Sequence, residues 1–311
     1  MREKPDLSIV VPLFNEEESL PELYTRFSAV SSSLGLACEI ILVDDGSTDH
    51  SLEIIEALAV KDPRVKLLSF SRNFGHMAAL SAGLDHAGGD AVITLDADLQ
   101  HPPELIPAML QKWKEGAEIV NAIRRETRGA GAVKKVTARL FYWLIGKIGK
   151  INLPEGSADY RLLDRKVVEA LKGLKERSRF LRGIINWVGF KQSTVTFDAP
   201  SRFAGKTKYS FGKMFAFALD GITAFSAFPL KLSAYLGLCT AGLSFIYIIY
   251  AIYIRLFTNQ AIEGWTSVLV AVLFIGGVQL IFMGVLGEYL GRVFDETKGR
   301  PLYIVSKKIG F

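Results

Sequence analysis

Ala91-Val92-Ile93-Thr94-Leu95-Asp96-Ala97-Asp98-Leu99-Gln100 is the stretch on which the fold turns. Its first five residues are a largely apolar, β-branched run, and the run stops on two carboxylates. A buried strand that ends this way sets its acids at the rim of a sheet, and in open α/β sheets ligands bind at that rim. Asp96 and Asp98 are two apart, so they share a face if the strand continues. Hard oxygen ligands on one face suit Mg²⁺ or Mn²⁺, which take one or two carboxylates plus substrate phosphates. Taken alone, Asp-x-Asp after a strand reads equally as a polar turn.

Outward from that stretch, apolar runs alternate with helix-like segments. Strands are expected over 7–12, 39–43, 65–70, 90–95 and 118–122, with helices over 16–34, 47–60, 77–87 and 102–115 between them. The first helix opens on acidic residues, which favour a helix N-terminus, and Ser47 or Thr48 is placed to cap the second. Such alternation predicts a doubly wound, mostly parallel sheet. Unbroken apolar runs fit strands covered on both faces. Further along, 159–163 and 194–197 read as strands and 165–174 as a helix. Amphipathic helices are expected at 133–149 and 211–227, of a kind that lies on membrane interfaces or packs on a domain. A short strand-like run closes the chain at 302–305.

The chain has 311 residues, half of them hydrophobic, and a mean hydropathy of +0.25. The apolar excess is local. No charge falls between Lys231 and Arg255, or between Glu263 and Glu288. Each gap is long enough to cross a hydrocarbon core of ~30 Å as a helix. Two transmembrane helices are therefore expected, and the charged N-terminus does not read as a signal peptide. The net charge of +5 gathers beside these segments: Lys206, Lys208, Lys213 and Lys231 before the first, Arg292, Lys298, Arg300, Lys307 and Lys308 after the second. That bias places both chain ends on the cytoplasmic side of a cell's inner membrane. It also argues against nucleic acid as a partner, since the basic residues follow the apolar spans and no binding motif. Cys38 and Cys239 are the only cysteines and fall in different segments, so neither a disulfide nor a zinc site is expected. The expected organisation is a catalytic domain over 1–210, a juxtamembrane amphipathic helix over 211–229, two spans over 230–290 and a tail over 291–311.

The candidate chemistry sits at three strand ends, 12–16, Asp44-Asp45 and 96–100. The N-terminal half has neither a Gly-x-Gly-x-x-Gly turn nor a Gly-Lys-Ser/Thr loop, so phosphates would be held mainly by a metal on the Asp pair and by Arg or Lys. Asp45 can accept from a base edge and Glu16 from ribose hydroxyls. His76, His86 and His101 show no triad arrangement.

Four segments together carry a resemblance: Val10-Val11-Pro12-Leu13-Phe14-Asn15-Glu16-Glu17, Val43-Asp44-Asp45-Gly46-Ser47-Thr48-Asp49, Ser71-Arg72-Asn73-Phe74-Gly75, and Asp96-Ala97-Asp98-Leu99-Gln100-His101-Pro102-Pro103. In this order and spacing the chain resembles glycosyltransferase family 2 of GT-A fold. It is most similar there to the polyprenyl-phosphate glycosyltransferases, which include dolichol-phosphate mannosyltransferase and the bacterial glucosyltransferases of the GtrB type. The resemblance spans nearly the whole chain. It implies that Pro12, Phe14, Glu16, Asp45 and Asp96, with Arg202 and Lys206, bind the nucleotide-sugar donor. It assigns Asp96, Asp98 and Gln100 to the metal and diphosphate, and Arg124, Lys135, Arg139, Lys208, Tyr209 and Ser210 to the acceptor phosphate. Asp96, Asp98, Asp159 and Arg124 are the implied catalytic residues, with Asp159 orienting the acceptor or acting as a base; Asp159 and Arg161 match the family's Gly-Ser-x-Asp-Tyr-Arg-like segment.

The implied reaction is inverting transfer of a sugar, glucose first, from a UDP-sugar to undecaprenyl or another polyprenyl phosphate, with Mg²⁺ or Mn²⁺. GDP-mannose or an aminoarabinose donor is the alternative within the class. A lipid phosphate is largely dianionic at neutral pH and needs little help from a base. A non-catalytic membrane scaffold is the rival reading, and intact Asp96, Asp98, Gln100 and Arg124 count against it. A processive synthase would carry a Gln-x-x-Arg-Trp-type segment and more spans. The partners expected are the donor, the lipid acceptor and the bilayer, and the membrane helices allow a homo-oligomer. Asp49 reads as a helix N-terminal residue, and Phe225 and Phe228 as membrane anchors.

Overall fold

The computed structural model describes residues 4–125, 157–174, 176, 181–198, 226–257 and 264–311. Strands β1 (Leu7–Leu13) and β2 (Cys38–Asp44) are buried at every position, which is why their sequence runs apolar instead of alternating. They pair in parallel, Leu7 opposite Cys38 through Leu13 opposite Asp44. On one side β2 takes β3 (Val65–Phe70), and on the other β1 takes β4 (Ala91–Thr94), both parallel. The carboxyl ends of these strands therefore share one rim. Asp45 N–H donates to Leu13 O at 2.9 Å, and Leu95 N–H to Val10 O at 3.2 Å.

Helices cover the sheet. α1 (Leu20–Leu34) buries Leu20, Leu23, Phe27 and Val30, a spacing of threes and fours that makes one apolar stripe. Burying a side chain such as Phe27 is worth about 2–3 kcal/mol. α2 (Ser51–Lys61) follows β2, with Asp49 accepting from the Ser51 and Glu17 amides at 3.0 and 3.2 Å, so Asp49 does serve the helix start. α3 (His76–His86) is made of small residues because it lies almost on the sheet. A Cβ on Gly83 would stand 2.1 Å from Val10 Cγ1. α4 (Ile106–Lys114) leads into β5 (Ile119–Arg124).

Here the topology departs from simple winding. β5 does not pair with β4; β6 (Ser157–Asp164) lies between them, antiparallel to both, with Thr94 and Asn121 flanking Arg161. After α5 (Arg165–Gly173) and α6 (Leu181–Trp187), β7 (Gln192–Phe197) adds to β5 in parallel. Periodicity did not mark α6, a short helix.

The chain's last strand, β8 (Val305–Ile309), sits three residues later than expected and closes the other edge, antiparallel to β3. Among the described residues the order is β7-β5-β6-β4-β1-β2-β3-β8, with four parallel and three antiparallel pairings.

Contacts divide the chain into two units, Met1–Ala218 with Arg300–Phe311, and Leu219–Gly299. The second unit holds α7 (Phe228–Phe257) and α8 (Trp265–Thr297). Within them, Phe228–Ile254 and Val268–Thr297 have mean hydropathies of 1.8 and 2.6 and are long and apolar enough to cross a membrane. Their apolar side chains, Leu238, Phe245, Leu273 and Leu280 among them, are exposed along their length. The expected amphipathic helix at 133–149 and most of that at 211–227 lie outside the described residues.

Candidate active site

The turn after β4 is built to present acids. Leu99 is buried and takes a left-handed φ of 60°, an uncommon conformation for a branched apolar residue. That twist brings the Gln100 amide to Asp98 Oδ1 at 3.1 Å, which orients Asp98. The Asp96 amide donates to His101 Nδ1 at 3.0 Å, so the network assigns the His101 ring proton to Nε2. His101 is itself buried against Tyr160 and Phe197.

The Asp96 carboxylate is only 34% exposed, and its Oδ1 is buried with no hydrogen-bond partner. His76 Nε2 approaches that oxygen to 3.5 Å, and His101 Nδ1 lies 3.6 Å from Oδ2. Burial pushes the Asp96 carboxyl above the usual carboxylate range; His101 and His76 offset part of this, while Asp159 and Asp98 add to it. An orphaned carboxylate oxygen beside a second, oriented Asp fits a divalent cation of the Mg²⁺ or Mn²⁺ type, whose remaining ligands come from phosphate and water. Among the described residues, no group of three or more His, Cys, Asp or Glu gathers at ligand distance, so the chain offers a partial shell.

The antiparallel run of β6 brings its first residues to this rim. Thr94 Oγ1 donates to Asp159 O at 2.7 Å, setting Asp159 beside the end of β4. Both Asp159 oxygens are taken by the Arg182 fork, at 2.8 and 2.7 Å, and His76 Nε2 lies 3.7 Å away. Burial works against the Asp159 charge, but His76 and Arg182, with Arg161 behind them, outweigh it and hold the carboxyl far below the usual range. His76 shows the mirror effect: burial lowers it, and Asp159 and Asp96 more than restore it, for a net upward shift. Arg161 is fully buried, which pushes it down to about 10 despite Asp159, so it stays cationic at neutral pH. A carboxylate so firmly ionised is a poor proton acceptor. Its two oxygens are instead engaged by the Arg182 fork, with His76 beside them.

Asp45 is also engaged. Its Oδ1 accepts from Phe74 N–H at 2.7 Å and its Oδ2 from Gly75 N–H at 2.9 Å, so it fixes the loop at 71–75. Burial raises the Asp45 carboxyl and those amides offset part of the rise. Gly46 has φ +71°, and a Cβ there would lie 2.5 Å from the Arg72 carbonyl carbon. The Asp-Asp-Gly turn thus needs glycine both for its φ and for loop contact. Pro12 is buried and Phe14 half-buried on the same rim. Glu16 Oε2 accepts from Ser19 Oγ at 2.8 Å, and the Glu16 amide donates to Ser51 Oγ at 2.9 Å. Asp44 is buried and structural, held by Ser47 N–H and Ser69 Oγ.

Arg124 ends β5, two strands across from β4 on the same rim, and is exposed. Gln100 is half-buried in the acidic turn. Lys135, Arg139, Arg202, Lys206, Lys208, Tyr209 and Ser210 lie outside the described residues. Sequence reasoning missed Arg182 altogether. It set aside His76 and His101 for want of a triad; the two instead flank one carboxylate. Nothing local marks Arg182, since its partner is 23 residues away in sequence.

Residues 8–172 match the family described as Glycosyl transferase family 2, and residues 228–293 match the GtrB C-terminal hairpin. A prophage bactoprenol glucosyl transferase homolog of Escherichia coli is 46% identical over 301 residues, covering 97% of this chain and 98% of its own. The SfII prophage-derived bactoprenol glucosyl transferase of Shigella flexneri is also 46% identical, with 97% of each chain covered. An uncharacterized glycosyltransferase of Bacillus subtilis, YkcC, is 48% identical over 303 residues, or 97% of this chain and 94% of that one.

Proposed function

This chain belongs to glycosyl transferase family 2 and is a glycosyltransferase of GT-A fold, and from that premise we propose that it moves glucose from UDP-glucose to a polyprenyl phosphate. The relatives named as bactoprenol glucosyl transferases support both the sugar and the lipid acceptor. The membrane is the cytoplasmic one, with the catalytic unit on its basic, cytoplasmic side. The observation that carries the reaction class is the state of Asp159. A carboxylate held ionised by Arg182 does not deprotonate a hydroxyl acceptor, whereas a phosphate brings its own negative oxygen.

In this reading the acceptor phosphate oxygen attacks the anomeric carbon in line, the carbon–oxygen bond to the donor diphosphate breaks, and UDP leaves with the electron pair. The configuration inverts, from an α-linked donor to a β-linked lipid product. A divalent cation on Asp96, Asp98 and Gln100 would neutralise charge growing on the leaving diphosphate. Pro12, Phe14, Glu16 and Asp45 line the nucleotide's side of the rim. Arg124, with Lys135, Arg139, Lys208, Tyr209 and Ser210, holds the acceptor phosphate. Arg202 and Lys206 reach the donor. Arg forks bind phosphate with two parallel hydrogen bonds, which suits drawing one anion toward another. Asp159 keeps Arg182 and His76 aimed at that meeting point.

The test is transfer of label from UDP-[¹⁴C]glucose to undecaprenyl phosphate by the full chain in lipid nanodiscs, with Mg²⁺, with Mn²⁺ and with EDTA. Cation-dependent, lipid-linked product is expected. Product only with GDP-mannose or another donor would retain the mechanism and replace the sugar. No product with any donor would leave a scaffold.

A further inference from the structure

The chain that leaves α8 at Thr297 re-enters the sheet as β8, and between them Tyr303 joins the catalytic unit. Its ring stacks on Phe70, the last residue of β3, with centroids 5.0 Å apart and planes 11° from parallel. Phe70 meets Phe74 edge to face at 5.7 Å. Phe74 in turn donates its amide to Asp45 and carries the Arg72 guanidinium 4.0 Å above its ring. Beside Tyr303, the Ile304 carbonyl accepts from the Ser71 amide at 3.0 Å, at the start of the same loop. The Tyr303 hydroxyl donates to Asp85 Oδ2 at 3.0 Å, and Asp85 lies on α3, the helix whose first residue is His76.

Tyr303 thus links to two elements of the donor rim. One arm runs through two aromatic rings to the loop that Asp45 holds. The other runs along α3 to the histidine beside Asp96. Aromatic pairs of this geometry stabilise beyond burial alone, which biases a short loop toward one conformation. Gly46 packs against the front of that loop, so it is clamped between the Asp-Asp-Gly turn and the tail.

We propose that Tyr303 is a positioning residue for the donor. By stacking on Phe70 and bonding to Asp85 it holds the 71–75 loop and α3 in the arrangement that binds the nucleotide, so the tail following the apolar hairpin sets donor affinity. This rests on the reading of the rim as a nucleotide-sugar site. It adds a residue more than 200 positions from the loop it braces.

The experiment uses the full chain in nanodiscs, with UDP binding followed by calorimetry and turnover by label transfer. Tyr303→Leu removes the stack and the hydroxyl; Tyr303→Phe keeps the stack. Lys307→Ala breaks the β8 pair with Glu56 and serves as a control for the strand's own stability. Expected for Tyr303→Leu are UDP affinity and donor KM weakened about 10-fold, with kcat and acceptor KM within about twofold of wild type. Tyr303→Phe restores most of the affinity, and Lys307→Ala lowers the melting temperature without moving donor KM. Unchanged donor KM in a folded Tyr303→Leu would overturn the proposal. So would a common fall in kcat and both KM-derived affinities, or a Lys307→Ala that weakens UDP equally. A wild type that binds another nucleotide corrects the donor alone, since the ratio of variant to wild type is then read with that nucleotide. A wild type that binds no nucleotide overturns both readings.

Discussion

The two ends of the same parallel strands treat their buried carboxylates in opposite ways. At the amino end, Glu39 on β2 is 3% exposed and completely satisfied: Ser8, directly opposite it on β1, donates to it, as do Lys66 Nζ and the Gly88 amide. Burial opposes its charge, but Lys66, Ser8 and Gly88 prevail and hold the carboxyl below its usual range. At the carboxyl end, Asp96 keeps a buried oxygen without a hydrogen-bond partner, and its carboxyl is pushed up. A fold with Lys to spare at one end leaves a carboxylate unfinished at the other. The incomplete end is the one that needs a ligand to complete it.

Exchanging the two acids' roles by mutation gives the largest effects. Asp96→Asn is expected to lower sugar transfer at least about 100-fold while the protein remains folded by circular dichroism. Glu39→Gln is expected to do the reverse. It strands the Lys66 charge, costs about 3 kcal/mol in denaturant unfolding, and leaves donor KM as it was. Equal activity losses in the two variants would erase the distinction between the ends.

Glycines sharpen the same contrast. Gly46→Ala places a methyl group 2.5 Å from the Arg72 carbonyl carbon and strains φ, so donor KM is expected to rise about 10-fold through the displaced 71–75 loop. Gly83→Ala collides with Val10 in the core and is expected to cost about 1–3 kcal/mol of stability, with KM unchanged in whatever remains folded. Steady-state kinetics beside thermal melting separate the two.

The smallest effect is in the pH dependence of stability. Glu39 and Asp159 have depressed carboxyl groups, so their contribution is present above the ordinary carboxylate range, near pH 4, and is lost as pH falls below it. Asp96 is raised, so its ionisation costs the cation-free protein stability as pH rises through that group. Cation-free Asp96→Asn is therefore expected to melt above wild type at neutral pH, and the two curves are expected to converge in acid. Added Mg²⁺ or Mn²⁺ is expected to raise the wild-type melting temperature alone. A variant that melts below wild type at pH 7 without cation would show that Asp96 is a finished structural acid like Glu39.

Much of the molecule was legible in the chain. The first four strands fall within a residue of the expected positions, because an unbroken apolar run is local information; α3 does so too, whereas α1, α2 and α4 begin about four residues later than expected, after the turns that follow their strands. The acidic turn at 96–98 was legible too, since a strand that stops on carboxylates has few places to go. Asp45 was legible as a rim residue, but not as the acceptor for the Phe74 and Gly75 amides, because backbone donors carry no side-chain signature. Asp159 was read as a candidate orienter or base. The Arg182 fork on its carboxylate was not legible, since no spacing rule joins those two residues.

By itself, the sequence determined the alternation of strands and helices, the acidic rim, and two apolar segments long enough to span a bilayer, for each depends on neighbours within a few turns of chain. The tertiary structure alone decided that β6 runs backwards between β4 and β5, that Arg182 meets Asp159, and that a tail strand closes onto β3, where Ser306 bonds to Ser69 across 237 residues. Those pairings repay loop-closure entropy with contacts that exist only once the chain is folded, so no local pattern announces them.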